Sequence, residues 1–265
     1  MLPHGRNRKE VGMIFYFSAT GNSKAVAEKL QEAFGGFTYK IDDELRRKNF
    51  EQEVPEGETV FFVFPVYFCS MPTVVEDFVK EVKFKSENVP DICMVVTSGG
   101  SPGGIDKIAE KAFKDKDVNY KGLYNIRSVE NYILLYDVPL PETQLLRLRE
   151  ADKQIEETIQ SIKYNYRVPY KSGIITGIIA RLLNKVYKLT NKTQKFTVDT
   201  EKCIKCGLCQ FHCPVSAIRM EGGKPVWVKE RCTHCLACMH RCPAQAINYG
   251  SKTVNRRRYI NPILK

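Results

Sequence analysis

The sequence predicts an α/β protein in which a doubly wound, five-stranded parallel sheet is followed by a small α+β domain. Two observations support this prediction. Short apolar runs alternate with segments of helical spacing through residues 11–164, and a cysteine-rich stretch is repeated near the carboxyl end. Parallel strands need crossover connections, usually helices, so regular alternation indicates a parallel sheet. The 265 residues are enough for two modest domains.

The predicted strands are continuous apolar runs, as expected where a sheet is covered on both faces. They are Val11–Phe17, Phe37–Ile41, Thr59–Phe64, Ile92–Val96 and Ile126–Leu135. Apolar residues spaced three and four apart predict the intervening helices. These are Ser23–Phe34, a segment starting near Pro72, Ile105–Phe113 and Glu142–Tyr164. Ligands of such sheets bind beyond the carboxyl ends of the strands, where the strand order reverses.

A further helix is predicted over Gly173–Leu189, between the two halves of the chain. It carries an apolar stripe formed by Ile174, Ile175, Ile178, Ile179, Leu182, Leu183, Val186 and Tyr187. We interpret it as a connector packed on the body of the protein; the alternative is a surface for an anionic membrane or a partner. The expected organisation is residues 1–165, a basic connector over 166–197, a second domain over 198–250 and a basic tail over 251–265.

The net charge of +11 is concentrated in two segments. Residues 163–195 hold eight Lys and Arg and no acid, and the tail from Gly250 holds five more, whereas residues 1–162 are net acidic. No nucleic-acid reading motif accompanies the charge, so we expect no nucleic-acid partner. The basic connector is expected to hold the second domain near the acidic first domain or to contact an acidic donor.

The ten cysteines indicate metal binding rather than a disulfide framework. Eight of them lie between Cys203 and Cys242, often three residues apart. The basic start and short apolar run at the amino end mimic an export signal, but we interpret the run as the first strand behind a short extension. No apolar stretch approaches the roughly 20 residues that span a bilayer. We therefore expect a cytoplasmic protein in which Cys69 and Cys93 are buried thiols.

The cysteine-rich stretch is an internal repeat of residues 203–218 and 232–247, in which each copy reads C-x2-C-x2-C-x3-C-P. This pattern is typical of paired 4Fe–4S clusters, in which the fourth cysteine of one run binds the other cluster. The expected ligands are Cys203, Cys206, Cys209 and Cys242 for one cluster, and Cys232, Cys235, Cys238 and Cys213 for the second. The alternative is a pair of zinc sites, since zinc also takes four thiolates. The stretch resembles a two-cluster bacterial-type ferredoxin; His212, His234 and His240 are not expected to bind iron.

A phosphate-binding loop is predicted between the first strand and the first helix. Its residues are Ser18, Ala19, Thr20, Gly21, Asn22 and Ser23. Hydroxyls and backbone N–H groups at a helix N-terminus can hold a phosphate, and a glycine allows close approach. The loop is neither the G-x-G-x-x-G fingerprint nor a Walker loop. It resembles the phosphate loop of flavodoxins, which implies a flavodoxin-like fold and FMN.

The flavodoxin resemblance implies two more loops, which would hold the flavin ring. The first is Pro65, Val66, Tyr67, Phe68 and Cys69, after the third strand; the second is Ser98, Gly99, Gly100 and Ser101, after the fourth. An aromatic side chain usually stacks on the ring in this family, and Tyr67 is the first candidate and Phe68 the second. The family commonly has a glycine in the first ring loop, where this sequence has Cys69.

Both resemblances together are similar to the EFR1-type flavodoxin–ferredoxin fusion proteins of anaerobic bacteria. They imply an electron-transfer protein that relays electrons between FMN and two 4Fe–4S clusters, with unidentified redox proteins as donor and acceptor. An enzyme that reduces a quinone, nitro compound or enone at the flavin is the alternative, and a redox sensor is a third hypothesis. No catalytic acid or base and no NAD(P)H fingerprint stands out. A homodimer and peripheral membrane contact stay open, although membrane contact is not favoured.

Overall fold

The computed structural model describes residues 12–166 and 168–264. Its helices and strands follow the alternation seen in the sequence as far as Tyr164, and the elements become short after residue 195. The strands are β1 Met13–Tyr16, β2 Phe37–Lys40, β3 Glu51–Glu53, β4 Thr59–Pro65, β5 Lys83–Lys85, β6 Asp91–Ser98, β7 Asn119–Arg127, β8 Phe196–Val198, β9 Ile218–Glu221, β10 Lys224–Trp227 and β11 Ile247–Tyr249. The helices are α1 Asn22–Phe34, α2 Ile41–Arg47, α3 Thr73–Glu81, α4 Ile105–Phe113, α5 Pro141–Tyr164, α6 Ile174–Thr190, α7 Leu208–Phe211 and α8 Ala237–His240.

The main sheet has five parallel strands in the order β2-β1-β4-β6-β7. This flavodoxin-like order confirms the predicted fold class and places the reversal of strand order between β1 and β4. One face of the sheet packs on α3 and α4, where Phe15, Phe62 and Phe78 form part of the core. The other face packs on α1 and α5 through Leu30 and Ile155, among others. Both faces are therefore covered, which explains the continuous apolar sequence of the central strands.

The predicted fifth strand, Ile126–Leu135, is wrong in position. The structure has β7 at Asn119–Arg127, at the edge of the sheet, where buried and exposed side chains mix along the strand. Residues 128–135 leave the sheet and form a loop. Val129, Ile133 and Leu134 are buried against the second domain instead, whereas Leu135 is exposed. Apolar sequence alone does not distinguish a sheet strand from a loop buried by another domain.

Three small elements of the first domain were not predicted from the sequence. Helix α2 follows β2 directly, and β3 pairs in parallel with β5 beside the main sheet. They are short and carry no strong apolar period. They enlarge the core on the α3 face, to which Ile41 and Val54 contribute.

The second domain is built from the two halves of the cysteine repeat. Each half contributes one short helix, α7 or α8. Two antiparallel pairs complete it, β8 with β11 and β9 with β10. Its core includes Phe196 and Met239 and is continuous with Val129 and Ile133 from the first domain. The loop after β7 therefore shares an apolar core with the second domain, whereas the two faces of the main sheet have clusters of their own.

Helix α6 packs on α4 through its small residues, not through the apolar stripe. Gly177 and Ala180 are buried, and a Cβ added to Gly104 would lie only 2.5 Å from the carbonyl oxygen of Thr176. Tyr187 points inward and is buried, whereas Ile174 and Ile178 are exposed. The sequence placed Tyr187 on the same stripe as these isoleucines, and the structure places it on the opposite side. In the part of the chain that the structure describes, no helix has both the length and the apolarity to cross a membrane.

Candidate functional site

The phosphate loop lies at the carboxyl end of β1 and leads directly into α1. Gly21 has a φ of 104°, which favours glycine. Its N–H donates to Ser18 Oγ at 3.1 Å, and Ser23 Oγ lies 2.8 Å from Thr97 Oγ1 on β6. Among the described residues, the N–H groups of Asn22 and Ser23 have no protein acceptor. These first-turn donors of α1 are therefore available to an anion.

The loop after β4 presents two aromatic side chains beside the phosphate loop. Tyr67 and Ser70 exchange two backbone hydrogen bonds of 2.9 Å. The two residues between them, Phe68 and Cys69, have φ values of 50° and 58°. Two consecutive non-glycine residues in the left-handed region are strained, and such strain is concentrated at functional sites. The turn fixes Tyr67 and Phe68 at the site.

The loop after β7 forms another side of the site. The sequence analysis did not indicate it, because it assigned these residues to the fifth strand. The Glu130 carboxylate accepts hydrogen bonds from the backbone N–H groups of Asn131 at 2.9 Å and Tyr132 at 2.8 Å. The Asn131 amide donates to Thr20 Oγ1 at 2.8 Å. The side chain of Glu130 also fills the space beside Gly99, where an added Cβ would lie 2.2 Å from a carboxylate oxygen. This loop therefore contacts both the phosphate loop and the loop after β6 and helps to fix their positions.

Helix α6 contributes Tyr187 to the same site. Its ring stacks on Phe68 at 5.4 Å with an interplanar angle of 15° and meets Tyr67 edge-on at 6.3 Å. Its hydroxyl donates to the carbonyl of Thr233 at 2.7 Å. Burial raises the pKa of Tyr67 and Tyr187, so both phenols are neutral at physiological pH. Tyr187 thus connects the loop after β4 to the segment between Cys232 and Cys235.

These elements surround a single pocket. Eleven of the fifteen residues expected to bind FMN line it, namely Ser18, Ala19, Thr20, Asn22, Ser23, Pro65, Val66, Tyr67, Phe68, Ser98 and Gly99. The other four, Gly21, Cys69, Gly100 and Ser101, lie outside its lining. Gly100 and Ser101 border a separate cleft at the sheet edge. The Cys69 thiol lies against Gly103, where an added Cβ would be 2.5 Å from its sulfur.

The pocket also has walls that the sequence did not indicate. They come from the loop after β7, from α6 and from the second domain: Ser128, Val129, Glu130, Asn131, Tyr132, Leu135, Tyr136, Tyr187, His234, Cys235 and Leu236, with Thr97 from β6. If the sequence analysis had placed the end of β7 correctly, it would have indicated the residues of the loop after β7, because the carboxyl ends of parallel strands all meet at one edge of the sheet. No local signal could have found Tyr187 or Cys235, which reach the pocket only through tertiary packing.

The eight repeat cysteines separate into two sets of four around two further cavities. Cys203, Cys206, Cys209 and Cys242 line one cavity, and Cys213, Cys232, Cys235 and Cys238 line the other. These are the two ligand sets expected from the sequence, including the exchange of the fourth cysteine between repeats. Within residues 12–166 and 168–264, no group of three or more His, Cys, Asp or Glu side chains is placed to hold a single metal ion. Each set of four cysteines lines a cavity of its own.

The two cysteine sets differ in exposure. Burial raises the pKa of Cys232 to about 12 and also raises that of Cys235 and Cys238, so these thiols ionise only where positive charge compensates them. In the other set, Cys206 is exposed to solvent. Cys235 belongs both to the buried cysteine cavity and to the pocket wall. The buried set is therefore adjacent to the pocket, and the other set reaches the surface.

Several hydrogen bonds fix the second domain against the phosphate loop. Arg241, between two repeat cysteines, donates from Nε to the carbonyl of Ala19 at 2.7 Å. The tail returns to the same loop, where Asn261 N–H donates to the carbonyl of Thr20 at 2.8 Å and the Tyr259 hydroxyl donates to Asn22 Oδ1 at 2.6 Å. The basic tail thus acts as a strap over the start of α1.

Two arginines of the tail attach it to the loop after β7. Arg256 donates to the carbonyl of Ile133 at 2.8 Å and lies 3.3 Å from Asp137. Arg257 donates to the carbonyl of Val138 at 3.1 Å. Two of the tail's arginines therefore donate hydrogen bonds to backbone carbonyls of the loop after β7.

One family matches part of the chain. Residues 195–258 match the family described as the 4Fe–4S dicluster domain. The match includes all eight repeat cysteines, and it supports the conclusion that the second domain is an iron–sulfur domain. No curated protein matches this sequence.

Several solved structures have a chain path similar to that of part of this chain. A flavo-diiron protein variant from Thermotoga maritima is 15% identical with a TM-score of 0.39, over 60% of this chain and 37% of that one. General stress protein 14 from Treponema denticola, in complex with FMN, is 10% identical with a TM-score of 0.35, over 57% and 99%. An azoreductase from Bacillus anthracis has the same identity and score, over 57% and 97%. These similarities carry no functional assignment for this chain.

Proposed function

We propose that this chain is an electron-transfer protein of the flavodoxin–ferredoxin fusion type, which relays electrons between FMN in the pocket and two 4Fe–4S clusters. The observation that carries the proposal is the position of Cys235, which lies in the pocket wall and in one cysteine cavity at once. FMN exchanges two electrons in single steps, whereas each cluster carries one, so the pair would couple two-electron and one-electron chemistry.

The residues around the pocket fit FMN. The unpaired N–H groups of Asn22 and Ser23, with the buried hydroxyls of Ser18 and Thr20, suit its phosphate. The aromatic cluster of Tyr67, Phe68, Tyr132 and Tyr187 supplies flat apolar surfaces for the ring. Tyr67 stays our first choice for the stacking residue and Phe68 the second.

The arrangement supports a defined order for the relay. The cluster held by Cys213, Cys232, Cys235 and Cys238 would be next to the flavin, and the cluster held by Cys203, Cys206, Cys209 and Cys242 would be next to solvent. Around the set that contains Cys206, which is itself exposed, Ile204 and Phe211 are 64% and 75% exposed. We expect a protein partner to exchange electrons there. In this arrangement, transfer between the flavin and the cluster beside it would need no domain motion.

The order can be tested by removing one cluster at a time. Cys235→Ser is expected to abolish rapid electron transfer from reduced flavin to either cluster. Cys206→Ser is expected to leave transfer from flavin to the remaining cluster intact and to slow delivery to an external one-electron acceptor. The measurement is stopped-flow absorbance of flavin and cluster bleaching under anaerobic conditions, with iron, sulfide and FMN content determined for each variant.

The same measurements separate this proposal from its alternatives. Two zinc ions in place of eight iron ions would contradict the cluster assignment. Equal slowing of the flavin-to-cluster step by both substitutions would contradict the order. Rapid turnover of a quinone, nitro compound or enone that persists in both variants would contradict the carrier function and favour a reductase.

A further inference from the structure

We propose that helix α6 binds the surface of an anionic lipid bilayer, with its axis in the membrane plane. The apolar residues of this helix face away from the protein. Ile174, Ile175, Ile178, Ile179, Leu182 and Leu189 are between 50% and 81% exposed. Soluble proteins rarely expose a contiguous apolar patch of this kind without an interaction that covers it.

The helix is oriented by its small residues. Gly177, Ala180 and Tyr187 form the buried side, with Gly177 lying against the side chain of Lys107 on α4. At about 100° per residue, the six exposed aliphatic residues occupy an arc of roughly 140°, centred opposite this buried side. A broad apolar arc that faces outward on an anchored helix is the geometry of an interfacial helix.

The charge on the helix matches an anionic surface. Arg181 and Lys185 lie at one edge of the apolar arc and are exposed. In the described chain neither forms an ion pair, whereas Lys188 on the inner side is paired with Glu76 at 2.7 Å. Residues 163–195 contain no acid. Long basic side chains at this edge can reach lipid phosphates while the aliphatic residues enter the headgroup region.

A second copy of the chain fits this face less well. A symmetric contact between two α6 helices would bring Arg181 and Lys185 near the same groups of the partner copy, with no acid on the helix to neutralise them. Like charges across an interface oppose association. The lipid surface satisfies both the apolar arc and its basic edge.

The proposal does not depend on FMN or the clusters, since lipid binding involves only the outer face of α6. It would nevertheless place the redox site close to the membrane. Tyr187, on the inner side of the same helix, lines the pocket, and a helix with its side chains is about 10–12 Å across.

The test is sedimentation of the holoprotein with lipid vesicles. Vesicles of phosphatidylcholine mixed with phosphatidylglycerol should bind the protein, and vesicles of phosphatidylcholine alone should bind it weakly. Ile178→Ser with Leu182→Ser, and separately Arg181→Gln with Lys185→Gln, should each weaken binding to anionic vesicles by at least about tenfold. Circular dichroism and flavin absorbance verify that each variant is folded.

Matched substitutions on α5 provide the controls. Leu145→Ser with Leu146→Ser removes two other exposed leucines, and Arg149→Gln with Lys153→Gln removes two exposed charges at the same spacing. Neither control should change lipid binding. No binding of the wild type to anionic vesicles, or equal loss in the α5 variants, would overturn the proposal. So would a dimer, measured by light scattering, that only the α6 substitutions dissociate.

Discussion

Replacement of Arg241 by Met tests whether the second domain completes the proposed flavin site. Arg241 belongs to the cysteine repeat, yet its Nε donates to the carbonyl of Ala19 in the phosphate loop at 2.7 Å. The bond fixes that peptide and brings a positive charge close to the expected phosphate. Hydrogen bonds to charged groups contribute about 1.5–3 kcal/mol. If this energy orders the loop for FMN, its loss should weaken FMN binding by roughly tenfold to a hundredfold.

The assay for Arg241→Met is titration of the flavin-free protein with FMN, followed by quenching of flavin fluorescence. Iron content must stay at the wild-type level, because Arg241 is adjacent to Cys242. Arg219→Met, on the exposed β9–β10 pair with only a 3.8 Å ion pair to Glu221, is the control and should bind FMN normally. An Arg241→Met protein with a full iron content and an unchanged dissociation constant for FMN would refute the reasoning.

Three further substitutions test contacts that hold the domains and α6 in place. Asn22→Ala removes the acceptor of the buried Tyr259 hydroxyl, so the free energy of unfolding should fall by about 2–3 kcal/mol in urea denaturation; an unchanged midpoint would contradict a strap role for the tail. Gly104→Ala should destabilise by about 1–3 kcal/mol, because the new Cβ would meet the backbone of α6. Gly100→Ala, which has open space around it, should have little effect, and equal losses would contradict the packing argument. Tyr187→Phe keeps the ring but removes the hydroxyl bond to the cysteine loop; it should cost about 1–2 kcal/mol and leave FMN binding intact, and weaker FMN binding would mean that the hydroxyl contacts the cofactor.

The fold of the first domain could be predicted because its central strands are apolar without interruption. β1, β4 and β6 are buried on both faces, so successive side chains along each strand are apolar. β7 lies at the sheet edge with a mixed pattern, and the true apolar run after it serves the interface with the second domain. The sequence shows that Ile133 and Leu134 are buried, but not which part of the protein buries them.

The candidate site could be predicted only where it is local in sequence. The phosphate loop and the two ring loops are short segments at strand ends, and eleven of their fifteen residues line one pocket. Tyr187 and Cys235 come from other parts of the chain. Tyr187 was assigned to the wrong side of α6, because apolar spacing does not show that Gly177 and Ala180 select the inner face.

By itself, the sequence predicted two sets of four cysteines and a phosphate-binding loop at the head of a parallel sheet. These depend on spacing within a few residues and on an internal repeat. Tertiary structure alone decided that Cys235 and the aromatic residues share one pocket, that the tail fastens the domains together, and that the apolar arc of α6 faces outward. Such placements follow from packing between distant segments, where shape complementarity, rather than local pattern, selects the contact.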